Sequence, residues 1–102
     1  MYNFKLGERK EVGGTLTRID GTDFSISATY VFKNHSGTII SSGNASVSGA
    51  DVFVLLQPAT VGKYYEVVFT CVCTPLTSQG VPDNTKNAET IIAEVRVDVV
   101  AV

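Results

Sequence analysis

Few residues in this chain have the types and spacing that catalysis or metal binding requires. The single histidine, His35, stands between Asn34 and Ser36 in a segment typical of turns, with no nucleophile spaced to act with it. A zinc site needs three or four convergent ligands, and His35, Cys71 and Cys73 are too few unless carboxylates from distant loops join them. We therefore predict no catalytic residue, no metal site, no cofactor and no enzymatic activity.

The two cysteines, Cys71 and Cys73, lie two residues apart in a segment with the pattern of a β-strand. Alternate residues of a strand point to the same face, so these thiols cannot bridge two sheets. We expect both to be reduced and buried as small apolar side chains. Metal binding or redox chemistry is the alternative.

The carboxylates and glycines that could form a reactive site fall in predicted turns. The pairs Asp20 with Asp23 and Asp83 with Glu89 are expected to hydrogen-bond the backbone, as acidic residues in turns usually do. Gly13-Gly14 and Gly21 neither open a helix nor precede Lys-Ser or Lys-Thr, so they do not form a nucleotide-binding loop. We interpret them as turn glycines.

Charge and hydropathy exclude two classes of partner. The net charge is −2, the pI is near 5.2, and the eight Lys and Arg residues are scattered, which disfavours nucleic-acid binding. The first residues lack the apolar core of a signal peptide, and no stretch is apolar enough to span a membrane. We expect a soluble, unexported chain with no membrane contact.

The elements that must carry any site are strands, because period-two alternation recurs and no helical stripe does. In Asp23–Lys33 the residues Phe24, Ile26, Ala28, Tyr30 and Phe32 share one face, and in Lys63–Thr74 the set Tyr65, Val67, Phe69, Cys71 and Cys73 does. The continuous apolar run Val52–Leu56 predicts a strand covered on both sides or at the centre of the sandwich. Seven strands are predicted: Thr15–Ile19, Asp23–Lys33, Thr38–Ser41, Ala45–Ser48, Val52–Leu56, Lys63–Thr74 and Glu89–Val100.

The connections have the residues of turns and loops. Asp20-Gly21 predicts a tight hairpin between the first two strands, and Ser42-Gly43-Asn44 predicts another turn. Pro75 to Ala88 reads as a long polar loop with no strand of its own. Residues 1–12 are charged enough to form a loosely docked arm, and residues 13–102 form a single domain. Seven short strands separated by regular turns are typical of an immunoglobulin-like antiparallel β-sandwich.

The C-terminal half carries a family resemblance. A glycine followed by Tyr-x-Val and a threonine-bearing strand occurs in Gly62-Lys63-Tyr64-Tyr65-Glu66-Val67-Val68-Phe69-Thr70. It is followed by a turn, Thr77-Ser78-Gln79-Gly80, and by a valine-rich strand from Glu89 to Val99. Together with Asp23-Phe24-Ser25-Ile26 and Ser48-Gly49-Ala50-Asp51-Val52, this resembles the small immunoglobulin-like domains of phage and prophage structural proteins. The resemblance covers the chain from about Thr15 onward.

That resemblance implies a non-enzymatic module that docks onto a neck, tail, baseplate or capsid assembly. Its partners would be other virion or assembly proteins, or copies of itself, first in the host cytoplasm and then in the virion. Sandwich domains carry contacts on loops and strand edges. The candidate contact residues are Thr77, Ser78, Gln79, Asp83, Asn84 and Lys86 in the long loop and Val47 on a short edge strand. The alternative is a bacterial immunoglobulin-like or fibronectin-like module that binds a surface protein or carbohydrate.

Overall fold

The computed structural model describes residues 2–17 and 23–101, and within them every regular element is a β-strand. There are eight: β1 (Tyr2–Lys5), β2 (Lys10–Thr15), β3 (Phe24–Lys33), β4 (Ile39–Asn44), β5 (Ser46–Ser48), β6 (Asp51–Leu56), β7 (Gly62–Pro75) and β8 (Glu89–Val100). The described residues include no helix long and apolar enough to cross a membrane.

The strands form two sheets that pack face to face. The larger has five strands in the order β1-β8-β7-β3-β4, and the smaller has three in the order β2-β6-β5. All neighbouring pairs are antiparallel except β1 and β8, which are parallel. The prediction of an all-β sandwich of mostly antiparallel strands is confirmed.

The core follows from the alternation in the long strands. Every second residue of β7 from Tyr65 to Cys73 is at most 7% exposed. In the smaller sheet β6 presents Val52, Val54 and Leu56 to the same core. The apolar run of β6 is covered on one side only, because Leu55 points outward and is 47% exposed. β6 is nonetheless the central strand of its sheet.

Residues 1–12 were expected to form a loosely docked arm, but residues 2–12 belong to the sandwich. β1 pairs with β8, β2 pairs with β6, and Phe4 and Val12 are completely buried. The Tyr2 hydroxyl donates to the Gly13 carbonyl oxygen at 2.9 Å and so links the two sheets. The charges of this segment suggested an arm, but the apolar side chains of Phe4 and Val12 between them are buried in the core and hold the segment in the sandwich.

The predicted tight hairpin turn falls in the connection between β2 and β3. The expected turn residues Asp20 and Gly21, with Ile19 at the end of the expected strand, lie outside the described residues. β2 and β3 pair in different sheets, so they do not form a hairpin. Gly13-Gly14 is part of β2 rather than a turn.

The predicted turn at Ser42-Gly43-Asn44 is instead the end of β4. Ser42 pairs with Val31, and Asn44 pairs with Thr29. The chain then passes to the other sheet at Ala45, whose N–H donates to the Ala28 carbonyl oxygen at 3.0 Å. A locally turn-like sequence is extended here because the edge of β3 supplies hydrogen-bond partners.

Candidate interaction surface

The loop that joins β7 to β8, all of whose residues the structure describes, contains no strand, as predicted, but it begins with a small hairpin turn. Leu76 forms an isolated antiparallel bridge with Pro82, and the Thr77 N–H donates to the Val81 carbonyl oxygen at 2.8 Å. The Gly80 N–H donates to the Thr77 carbonyl oxygen at 2.9 Å, and Gly80 takes a positive φ of 80°. A positive φ is costly for most other residues, so glycine suits this position.

Three candidate contact residues lie at this hairpin tip. Ser78 and Gln79 are exposed, and Thr77 is half-buried. The Gln79 N–H donates to Thr77 Oγ1 at 3.3 Å. The backbone bonds hold the tip in one shape while the Ser78 and Gln79 side chains face solvent.

The other loop candidates lie in a second turn that begins at Asp83. Its N–H donates to the Pro75 carbonyl oxygen at 2.8 Å, and its carboxylate accepts from the Thr85 N–H and hydroxyl. The two bonds from Thr85, with the charge of Lys86 as a smaller cause, lower the pKa of Asp83. Asn84 and Lys86 are exposed beside it.

Val47 belongs to a different surface. It lies in β5, the edge strand of the smaller sheet, where it pairs with Val52 and is 38% exposed. The loop candidates are carried by the larger sheet, so the structure divides the predicted contact residues between two places.

An edge that sequence reasoning only partly identified runs through β4 and β5. β4 is the edge of the larger sheet, and Ile39 and Ile40 in it are 61% and 51% exposed. No charged residue and no proline occurs from Ile39 to Ser48. Natural edge strands usually carry such residues to prevent pairing with other chains. The absence of charge and proline from Ile39 to Ser48 indicates an edge open to pairing. The turn predicted at Ser42 divided this segment and so hid the pattern.

His35 has no catalytic surroundings among the described residues. It lies in a turn where Asn34 Oδ1 accepts from the Ser36 and Thr38 N–H groups, each at 3.0 Å. A recess of about 440 Å³ beside it is lined by Asn34, His35, Val61, Gly62, Lys63, Tyr64 and Tyr65. Apart from the phenol groups of Tyr64 and Tyr65, that lining has no hydroxyl, and it has no carboxylate and no thiol.

The thiols of Cys71 and Cys73 lie inside the sandwich; neither cysteine forms a disulfide, and each is 1% exposed. Burial is the main cause that raises the pKa of Cys71, and the neighbouring Cys73 contributes. A raised pKa keeps the thiol protonated and unreactive at neutral pH. Within the described residues, His, Cys, Asp and Glu form no group of three that could hold a metal ion.

Comparisons with protein-family models, with curated proteins and with solved structures found no match to this chain.

Proposed function

We propose that this chain is an immunoglobulin-like, non-enzymatic adaptor domain that docks onto a larger protein assembly of the phage or prophage virion type. The proposal combines the family resemblance of the sequence with three structural features. These are the strand order, a tyrosine contact at the start of β7, and the loop between β7 and β8.

The strand order supports the immunoglobulin-like assignment. Immunoglobulin sandwiches place the fifth and second strands of the domain in one sheet and the third, sixth and seventh in the other, with an added strand beside the third in variable-type domains. The fourth strand belongs to the first of these sheets. In chain order, the strands β2 to β8 match the second, third, added, fourth, fifth, sixth and seventh strands. β2-β6-β5 then corresponds to the first sheet and β8-β7-β3-β4 to the second. The parallel pairing of β1 with β8 adds one further strand.

A tyrosine near the start of β7 adds a second argument. In immunoglobulin-like domains a tyrosine at this corner commonly bonds back to the chain a few residues upstream. Here the Tyr65 hydroxyl donates to the Thr60 carbonyl oxygen at 3.2 Å. Val67, two residues later, is completely buried where antibody domains have a cysteine.

The observation that carries the docking proposal is the loop from Leu76 to Ala88. It lies between the two longest strands, and its internal bonds give it a defined shape with exposed polar side chains at Ser78, Gln79 and Asn84. Loops held by a rigid scaffold are where sandwich domains usually bind partners.

The test replaces Thr77 to Asn87 by a short Gly-Ser turn and measures how much of the chain sediments with particles purified from the cells that carry its gene. We expect the melting temperature to change by only a few degrees and incorporation to be lost. The matched control is the double substitution His35→Ala/Ser36→Ala in the exposed turn at the other end of β3, which should incorporate normally.

Two results count against the proposal in different ways. Normal incorporation of the shortened chain would show that the loop is not the docking surface. Absence of the native chain from every particle fraction would rule out the virion-type assembly itself.

One observation favours a second candidate, the binding of a carbohydrate. Tyr64 is 54% exposed at the recess near His35, with Asn34 and Lys63 beside it, and the Arg96 guanidinium lies 4.9 Å from its ring centroid. Aromatic faces with neighbouring polar groups suit sugar rings. Titration with a panel of bacterial surface glycans tests this candidate, and Tyr64→Ala should abolish any saturable binding.

A further inference from the structure

The outer face of the larger sheet points away from the smaller sheet, and its members follow from the register. Tyr65, Val67 and Phe69 of β7 are buried, so the alternate residues of β7 and their cross-strand partners lie on the outer face. The central members are Thr29, Val31 and Lys33 of β3, Glu66, Val68, Thr70 and Val72 of β7, and Ile92, Glu94 and Arg96 of β8.

The outer face combines four apolar, two threonine and four charged side chains, and the charges sum to zero. Ile92 is 66% exposed although it lies in β8, inside the five-stranded sheet, and Val72 of β7 is 37% exposed. The outward positions of a half-solvated antiparallel sheet are normally polar. Ile92 and Val72 depart from that pattern, and an apolar patch rimmed by polar residues is a candidate for a protein contact.

Three rows of outer-face residues that cross from β3 to β7 each pair two like side chains or two opposite charges. Thr29 pairs with Thr70, Val31 pairs with Val68, and Lys33 pairs with Glu66. The first row joins two threonines and the second two valines. The third joins opposite charges, with Lys33 Nζ and Glu66 Oε2 3.9 Å apart.

Such rows match a second copy of the same chain. Two copies can stack with their outer faces together, related by a two-fold axis that lies between the faces, parallel to the strands and midway between β3 and β7. This arrangement places β3 of one copy over β7 of the other. Thr29 then faces Thr70, Val31 faces Val68, and each Lys33 faces the Glu66 of the other copy. A two-fold interface must be self-complementary in this way.

The neighbouring strands follow the same rows. β8 of one copy then lies over β4 of the other, so Ile92 faces Asn44, Glu94 faces Ser42 and Arg96 faces Ile39, the residues that share their rows. No like charges meet in these rows. A face with a strong net charge would instead indicate an oppositely charged partner.

The size of the face is adequate for a weak dimer. Ten rows of β3 and β7 and five rows of β4 and β8 overlap in this arrangement. At about 3.4 Å per residue and about 4.8 Å between strands, these positions cover about 490 Å². Specific interfaces bury about 600–1,000 Å² per partner, so the overlap lies below that range and suits weak, reversible association.

We propose that the outer face of the larger sheet is a two-fold homodimer interface in which Lys33 of each copy pairs with Glu66 of the other. This surface is separate from the loop between β7 and β8. The dimer therefore leaves that loop free to bind another protein.

Charge reversal tests the proposal with sedimentation equilibrium across a range of concentrations. Lys33→Glu puts four negative charges at the two-fold contact and Glu66→Lys puts four positive charges there, so each variant should raise the dimer dissociation constant about tenfold or more. An equimolar mixture of the two variants restores opposite charges across the interface. It should form a heterodimer, detectable by native mass spectrometry, about as tight as the native dimer.

Two further variants keep the test specific. Ile92→Lys should also weaken the dimer, whereas Leu55→Lys, at a comparably exposed apolar site on the smaller sheet, should not. Circular dichroism checks that each variant is folded.

The proposal is overturned if the native chain is monomeric at millimolar concentration, or if mixing the charge variants restores nothing. It is also overturned if Val47→Lys, at the edge of the smaller sheet, dissociates a dimer that Lys33→Glu leaves intact, because association then occurs by strand addition. None of these results bears on incorporation through the loop.

Discussion

Gly13 in β2 offers a sharp test of the packing between β2 and β6. A Cβ atom built on Gly13 would overlap the Val52 carbonyl oxygen and lie 2.7 Å from the Phe53 Cα atom. Both contacts are with backbone, so no side-chain rotation relieves them. Gly13→Ala therefore requires β2 to move away from β6 by about 1 Å, a form of overpacking that costs about 3 kcal/mol.

Gly14 is the matched control. A Cβ atom there meets no atom within 4 Å, and the residue does not have a positive φ. Gly14→Ala should therefore change the free energy of unfolding by less than about 0.5 kcal/mol or raise it slightly, because alanine lowers the entropy of the unfolded chain. A second control, Tyr2→Phe, removes the hydrogen bond to Gly13 without a clash and should cost about 1 kcal/mol.

Urea denaturation measures the three effects. With a slope of about 1.5 kcal/mol per molar urea, Gly13→Ala should lower the midpoint by about 2 M while Gly14→Ala leaves it nearly unchanged. Equal shifts for the two glycine variants would refute the close approach of β2 to Phe53. A Gly13→Ala loss no larger than that of Tyr2→Phe would show that β2 moves away from β6 at little cost.

Three further predictions concern the core. Phe69→Ala should lower the free energy of unfolding by about 3–5 kcal/mol in urea denaturation, whereas Thr70→Ala on the outer face should leave that free energy nearly unchanged. A Phe69→Ala loss under about 1 kcal/mol would mean that β7 has the opposite orientation. Cys71 and Cys73 should react slowly with a thiol reagent in the folded state, and fast labelling of both thiols without unfolding would contradict their burial. Burial raises the pKa of Cys71 above its ordinary value of 9.0. The stability that its protonated form contributes is therefore present below that pH and is lost as the pH rises through the folded pKa, which urea denaturation from about pH 8 to 10.5 can follow. Tyr65→Phe should cost about 1 kcal/mol through loss of the hydrogen bond to Thr60, and an unchanged urea midpoint would show that this bond adds no stability.

The long strands were predictable because their burial is one-sided. In β7 and β8 an apolar side chain recurs at every second position, and a shift by one residue would expose all of them. The predicted inner face of β7 is therefore the observed one. β3 follows the same rule, with Ala28 and Phe32 buried.

The short strands depend on partners that a local pattern does not contain. β1 is extended because β8 offers a free edge, and its parallel register joins residues far apart in the chain. The end of β4 has the residues of a turn but is held by β3. In both cases tertiary hydrogen bonding overrode the local preference.

Exposure of the contact candidates was easier to predict than their grouping. Ser78, Gln79, Asn84 and Lys86 are exposed, as polar loop residues usually are. Their division into two turns depends on the bridge between Leu76 and Pro82, which joins two apolar residues inside a polar segment. The matched rows of the outer face could not be seen without the register, because Lys33 and Glu66 gain meaning only as cross-strand neighbours.

The loop between β7 and β8 is anchored at its start, so its exposed residues can change without loss of folding stability. Pro75, at the end of β7, is almost completely buried, and the Leu76 N–H donates to the Asp23 carbonyl oxygen at 2.8 Å. These contacts fix the start of the loop with residues that the Gly-Ser replacement retains. The core side chains of β7 point to the inner face, and the loop begins only where that strand has ended. Changes from Thr77 onward can therefore alter a binding surface without opening a cavity, which is why the loop replacement can distinguish a docking defect from a folding defect.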